Sequence, residues 1–389
     1  MKEIRAASRP PEHTKTEDTQ TPVDPVSAGG EWLSVADPGA PALGRDPFTE
    51  QVEVDPFEER LDALHPASSR VRQAPHPTAP RPSPSSSDSP AAPLPQRRRS
   101  QVPALEEVEL PPTRGWAERL VGEDERRRLA AVAHLAEGEV PYDRFGFSPD
   151  TMRSAFPWFH ALYRFYFRVK SSGHENIPAH GPALLVGNHG GLLPFDAAMG
   201  VIDVMLNTNP PRLPRAIVDR WAGSLPWVNV FYARVGQVIG TRENFSDLLE
   251  DGQLVLVFPE GMDGVRKPIT QRYRLQRFRV GFIEHSLRAG APIVPMAFIG
   301  SDDQAPILYD FKPIAQRLGL PALPITPTFP WLGPLGLLPY PVGYKIVYGE
   351  PLPYHERFGP EGADDARLVR YLANQVRRTV QKLVDRSRS

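Results

Sequence analysis

His189 and Asp196 stand seven residues apart in the stretch GNHGGLLPFD, residues 187–196, and are the side chains best suited to chemistry in this 389-residue chain. An imidazole held against a carboxylate has its tautomer fixed through one ring nitrogen, which leaves the other free to accept a proton. On a straight helix this spacing would separate the two side chains by about 10 Å. Gly190, Gly191 and Pro194 argue instead for a compact loop that folds back and brings carboxylate to ring. The same residues also have plainer readings. Asp196 suits the N-cap of a helix over AAMGVIDVM, and a histidine in a Gly-rich turn can be purely structural.

Further along, LVLVFPEGMDG carries Glu260 and Gly261 to a corner at the end of an apolar strand, where open α/β sheets gather their ligands. A carboxylate there can accept a hydrogen bond from a substrate hydroxyl. Arg242 follows the strand-like VGQVIG, and KPITQRYRLQRFR adds Lys267, Arg272, Arg274, Arg277 and Arg279. The planar fork of arginine matches phosphate.

Composition narrows the field. With no cysteine, disulfides, thiol nucleophiles and thiolate metal sites are excluded, and a reducing compartment is the natural setting. A net charge of −1 gives no global pull toward nucleic acid or anionic lipid, so any such attraction is local. The interleaved aromatics and arginines of RYRLQRFR resemble a strand-stacking surface, but the cluster is short and leaves every other motif unexplained; no nucleic-acid partner is expected. There is no Gly-x-Ser-x-Gly elbow, no Walker loop and no clustered His motif, and no metal is expected.

The elements that must position these residues lie mainly beyond residue 141. Short apolar runs alternate with helical patterns: ALLVGN, RAIVD, QLVLVFPEG and PIVPMAFIG read as strands, DAAMGVIDVML and FRVGFIEHSLRAG as helices. Continuous Val, Leu and Ile in strands alternating with helices predict an α/β fold, a mostly buried central sheet flanked by helices. DARLVRYLANQVRRTVQKLVD predicts a C-terminal amphipathic helix with Leu368, Leu372, Val376 and Val380 on one stripe. In FPWFHALYRFYFRVKSSG, Phe159, Leu162, Tyr163, Tyr166 and Phe167 share a helical face with Arg164, Arg168 and Lys170 interleaved. That helix either packs on the core or lies at a membrane interface.

Of the 46 prolines, 20 fall in residues 1–112, where long apolar periodicity is missing; this segment is expected to be a long disordered tail. Its Asp-Pro-Phe signatures at Phe48 and Phe57 are chance or docking motifs for a protein partner. Residues 113–140 are expected to form a helical connector, tether or brace, with Leu120, Leu129, Val132 and Leu135 on one face, and residues 141–389 the folded domain. The N-terminus lacks the apolar core of a secretory signal and no run of about 18 apolar residues exists, so a cytoplasmic, non-spanning protein is expected.

Taken in order, the motifs resemble those of the glycerolipid acyltransferase family, which includes the lysophosphatidate and glycerol-3-phosphate acyltransferases. Asn188, His189 and Asp196 match the first block, Gly236 to Arg242 the second, Phe258 to Gly261 the third, and APIVPMA with Pro295 the fourth. The likeness spans roughly residues 155 to 355 and is nearest a diacylglycerol acyltransferase-like branch. Two departures stand out: six residues rather than four separate His189 from Asp196, and MDGVRKP replaces the usual Thr-Arg after Glu-Gly.

The resemblance implies an O-acyltransferase in which His189 is the general base, oriented by Asp196, and in which Glu260, Gly261 and Arg242 hold the glycerol or phosphate part of the acceptor. Lys267 and Arg274 are the further candidates for substrate binding. It implies no cofactor beyond an acyl-CoA or acyl-carrier-protein co-substrate. The acceptor would be a membrane glycerolipid, phosphorylated or neutral, met by peripheral association with the cytoplasmic face of the membrane. FPWLGPLGLLPYPVGY, residues 329–344, has four prolines and cannot be a spanning helix; it is either core or a loop that dips into lipid. A catalytically inactive lipid-binding scaffold of the same fold is the alternative, motivated by the widened His-to-Asp spacing.

Overall fold

Four of the apolar runs become neighbouring strands of one sheet in the computed structural model, which describes residues 121–136, 140–317 and 323–388 together with Leu105, Val108 and Arg119. They are β2 (Ala183–Gly187), β3 (Arg215–Val218), β5 (Leu254–Val257) and β6 (Ile293–Ile299). The strands β1 (Lys170–Ser172), β4 (Val238–Ile239) and β9 (Lys345–Tyr348) complete a seven-stranded sheet in the order β1-β9-β6-β2-β5-β3-β4. Every pairing is parallel except β6 with β9. A small separate ladder joins β7 (Tyr309–Asp310) to β8 (Pro324–Ile325). The tail expected over 1–112, with Phe48 and Phe57, and Leu120 of the connector lie outside the described residues, apart from Leu105 and Val108.

Because side chains alternate along a strand, the central strands feed two cores. Leu184, Val186, Val255 and Val257 point to one, covered by α6 (Arg242–Glu250), α8 (Gly281–Ala289) and the C-terminal α11 (Ala366–Arg388). Leu185, Leu254, Leu256 and Met296 point to the other, covered by α1 (Glu123–Ala131), α2 (Pro149–Ala161) and α3 (Phe195–Asn207). The remaining helices are α4 (Arg220–Ser224), α5 (Val228–Arg234), α7 (Met262–Val265), α9 (Lys312–Arg317) and α10 (Tyr354–Phe358). The predicted stripe of α11 is buried at all four positions.

Helix α1 is a brace. Leu129 and Val132 are buried in the second core, and Arg128 Nη1 donates to the Thr208 carbonyl at the end of α3, 2.9 Å away. The aromatic segment after α2 runs on as a π-helical turn, Leu162–Tyr166. Its predicted face packs inward, with Tyr163 and Phe167 buried and Phe159, Leu162 and Tyr166 against the same core. The apolar residues that reach solvent are different ones, Trp158 and Phe165, 58% and 75% exposed. The end of this segment grips the 329–344 loop: Tyr166 Oη donates to the Pro339 carbonyl at 2.6 Å and Arg168 Nη2 to that of Pro341 at 2.8 Å. Tyr344 is core and stacks on Phe167, whereas Trp331, Leu332, Leu335 and Leu338 stand exposed.

Candidate active site

Strand β2 lies between β5 and β6, so the loop that leaves its carboxyl end opens at the middle of the sheet, where side chains from neighbouring strands converge. Asn188 is buried and mimics a ladder residue: its Nδ2 donates to the Phe298 carbonyl at 2.9 Å and its Oδ1 accepts from the Phe298 N–H at 2.8 Å. This locks the start of the loop to β6. Gly191 then turns at φ +79°, a conformation costly for a residue with a Cβ, and packs against the Gln304 side chain, which any side chain at 191 would displace.

The turn closes the wide spacing. His189 Nδ1 and Asp196 Oδ2 are 2.6 Å apart. Asp196 is fully buried as the second residue of α3 and does not act as its N-cap, a place taken by Pro194. Its Oδ2 also accepts from the Gly190 N–H at 3.0 Å and its Oδ1 from the Ala197 N–H at 2.7 Å, so the carboxylate is held from both sides. Accepting three hydrogen bonds, Asp196 requires the imidazole proton on Nδ1. Nε2 has no hydrogen-bond partner among the described residues, and the side chain keeps 15% of its surface in solvent. The ring is fixed by stacking on Phe258, centroids 4.5 Å apart. Burial works to lower the His189 pKa, but the charge and hydrogen bond of Asp196, helped by Glu260, outweigh it and hold the pKa above the ordinary value.

Glu260 follows β5 and is fully buried. Its Oε1 accepts from the His189 N–H at 3.0 Å and its Oε2 from the Gln276 N–H at 2.6 Å, so it ties the His189 loop to the 272–279 segment. Burial raises its pKa, opposed by Lys267 and these backbone donors. Lys267 is equally enclosed, with Nζ 3.7 Å from Glu260 Oε2 and 3.3 Å from Asp302 Oδ2. Both residues, expected to bind substrate, thus sit beneath the site and spend their polar atoms on the protein. Gly264 seals the corner: a Cβ there would stand 2.9 Å from Glu260 Cβ and 3.0 Å from His189 Cβ.

The other expected residues disperse. Gly261 is in the corner, with φ +56°. Arg242 opens α6 beyond the edge strand β4, three strands from β2, and pairs with Glu284 at 3.2 Å. Arg274 is exposed, its guanidinium without a partner among the described residues. Sequence reasoning missed the Lys267–Asp302 pair, the Phe258 stack and the role of Gln304, whose Nε2 donates to the Gly190 carbonyl at 3.2 Å. Only Phe258, inside the Phe-Pro-Glu-Gly corner, carried a signal that could have flagged it.

A family model described as Acyltransferase matches residues 168–299, which enclose the His189–Asp196 loop and the Glu260 corner. An uncharacterized protein of Mycobacterium tuberculosis is 40% identical over 265 residues, 66% of this chain and 74% of that protein. A Gallus gallus protein named as a DGAT1/2-independent enzyme synthesizing storage lipids is 28% identical over 185 residues, 47% of this chain and 51% of that one. The chain belongs to the acyltransferase family that this model describes. By that membership it is an O-acyltransferase, and the family's Asn-His, Phe-Pro-Glu-Gly and apolar-proline blocks fall at the ends of β2 and β5 and within β6. The crystal structure of the Thermotoga maritima 1-acyl-sn-glycerophosphate acyltransferase PlsC is 17% identical, with a TM-score of 0.39, and covers 70% of this chain and 86% of that one.

Proposed function

We propose that this acyltransferase moves a fatty acyl group from an acyl thioester, acyl-CoA or acyl-carrier protein, to a hydroxyl of a glycerolipid such as lysophosphatidate or a mono- or diacylglycerol. The observation that carries the reading is the 2.6 Å contact between His189 Nδ1 and Asp196, which leaves Nε2 unpaired. The acceptor oxygen attacks the thioester carbonyl while Nε2 takes its proton. Asp196 steadies the imidazolium that forms, and collapse of the tetrahedral adduct expels a thiolate that recovers the proton from Nε2. The thioester is already activated, so the scheme calls on no metal or other cofactor. An inactive scaffold is disfavoured, since the long loop still brings acid and ring together.

Among the described residues no helix is long and apolar enough to cross a membrane. Peripheral association with the cytoplasmic face is the arrangement we favour, supported by a set of large apolar side chains left in solvent. Phe165, Trp331 and Leu335 are 75%, 77% and 70% exposed, and Trp227 at the tip between α4 and α5 is 85% exposed. Phe159 stacks on Phe231 of α5, which joins that tip to the aromatic helix. Gln304 links the 329–344 loop, which carries Trp331 and Leu335, to the His189 loop: its carbonyl accepts from the Tyr340 N–H at 2.7 Å while its side chain holds Gly190. Such amphipathic residues suit the headgroup layer.

The test is acyl transfer by purified protein from labelled acyl-CoA to a panel of lyso- and monoacyl-glycerolipids, with products identified by mass spectrometry. Wild type should form product and His189→Ala should not; equal activity of the two, or no product from wild type across the panel with either donor, refutes the reading.

A further inference from the structure

Two arginines beside the Glu260–Gly261 corner have no counter-ion among the described residues. Arg279 is half-buried and lies along Gly261, so that a Cβ on residue 261 would stand 3.4 Å from its Cζ and 3.5 Å from its Nη2. Its backbone N–H donates to the Pro259 carbonyl at 3.0 Å, but its guanidinium makes no hydrogen bond, ion pair or ring contact among the described residues. Arg377 on α11 is also half-buried, with no hydrogen-bond or ion-pair partner among the described residues. Burial lowers its pKa, with Arg378 adding to the effect and Glu260 opposing it, so its charge is within electrostatic reach of the same corner.

The fold explains how residues so distant in sequence meet. Gln381, one turn beyond Arg377, donates Nε2 to the Tyr273 carbonyl at 2.9 Å and accepts the Leu275 N–H on Oε1 at 2.9 Å. Helix α11 is therefore pinned along the 273–279 segment, and Arg377 shares the stripe that faces it. The neighbouring Gln276 N–H reaches Glu260, which in turn holds His189.

A half-buried guanidinium gains from a counter-ion, and other enclosed cations of this domain have one. Arg266 pairs with Asp310, Arg215 with Asp143, and Lys267 with Glu260 and Asp302. Glu260 cannot serve Arg279 or Arg377 as counter-ion without giving up the backbone donors and the lysine that already occupy it. An incoming anion is the missing partner.

We propose that Arg279 and Arg377 form the receptor for a phosphate ester carried by a substrate of this site, against the Gly261 face of the corner. The phosphate belongs either to a phosphorylated glycerolipid acceptor or to the CoA or phosphopantetheine part of the donor. Two forks on a small anion give charge-assisted, bidentate hydrogen bonds, and the absence of a side chain at Gly261 leaves the space for it. The proposal rests on the acyl-transfer reading for the identity of its ligands, but not for their binding.

The full-length chain is compared with Arg279→Gln, Arg377→Gln and the double variant, with CoA, lysophosphatidate below its micelle threshold and monoacylglycerol as probes. Binding is measured calorimetrically in the His189→Ala background, and KM in the active background. Each single variant should weaken binding of one phosphate-bearing probe about 10-fold and the double variant about 100-fold, with monoacylglycerol unaffected. Weakening confined to lysophosphatidate assigns the receptor to the acceptor, and weakening confined to CoA assigns it to the donor. Arg279→Lys and Arg377→Lys, which keep the charge and lose the fork, should weaken the same probe by less, and they decide the matter if the glutamine variants melt early. Unchanged affinity for both phosphate probes in folded variants, or wild-type protein that binds neither, overturns the proposal. Acyl transfer that survives His189→Ala would refute the catalytic reading while leaving this binding result to stand or fall alone.

Discussion

Helix α3 carries two buried carboxylates two turns apart, each facing a histidine, and the two pairs do different work. Asp196 meets His189 Nδ1 at 2.6 Å and leaves Nε2 without a hydrogen-bond partner among the described residues. Asp203 meets His174 Nε2 at 3.1 Å, and its carboxylate also accepts from Tyr163 Oη, Ser171 Oγ, Asn207 Nδ2 and Tyr348 Oη. The first pair points a proton acceptor out of a loop at the end of the central strand. The second ties α3 to the aromatic helix, β1 and β9. A His–Asp contact alone therefore says little about catalysis; what separates the two is where the ring stands in the sheet and where the carboxylate's other bonds go.

Breaking each pair should give opposite signatures. His189→Ala removes the base and should lower kcat by about 10² to 10⁴, a loss visible in the acyl-transfer assay, while the melting temperature stays close to wild type. Asp203→Ala strands the buried Tyr163 and Tyr348 hydroxyls and should cost about 2 to 5 kcal/mol of stability, read by denaturant unfolding, with turnover per folded molecule preserved. Both phenols have pKa values raised first by burial, which remains when the Asp203 charge is removed, so ionisation gives neither an escape from the loss. The smallest effect belongs to His174→Gln. That ring is 20% exposed and contributes one of many bonds to Asp203, so less than about 1 kcal/mol should be lost and activity should be unaffected. An activity loss in His174→Gln comparable to that of His189→Ala would erase the distinction.

The sequence made the centre of the sheet legible because four uninterrupted apolar runs can be satisfied only by burial on both faces. The β1–β9 end was not legible. Lys170–Ser172 has no apolar signature, and Lys345–Tyr348 is recognisable only once β6 offers it an antiparallel partner. In the site, His189 and Asp196 were found from residue type and from glycines that permit a return. Arg242, Glu260 and Lys267 were found as charges in the right neighbourhood, but whether a charge faces ligand or protein is decided by tertiary burial. Glu260 and Lys267 prove to be enclosed and paired with each other, and Arg242 with Glu284. Arg377 gave no signal, because a cation on an amphipathic helix reads as solvated until the helix is seen docked on the 273–279 segment.

The central claim is that a charge-coupled His189 gives up its proton before it can act, and the pH dependence of kcat/KM tests it most directly. Because the Asp196 charge and hydrogen bond raise the His189 pKa above its ordinary 6.5, wild-type activity should be lost as pH falls through a value higher than that. In Asp196→Asn that support is gone and burial remains, so the acid limb should move to lower pH while the plateau rate falls by about 10². An acid limb at the same pH in both proteins would contradict the account.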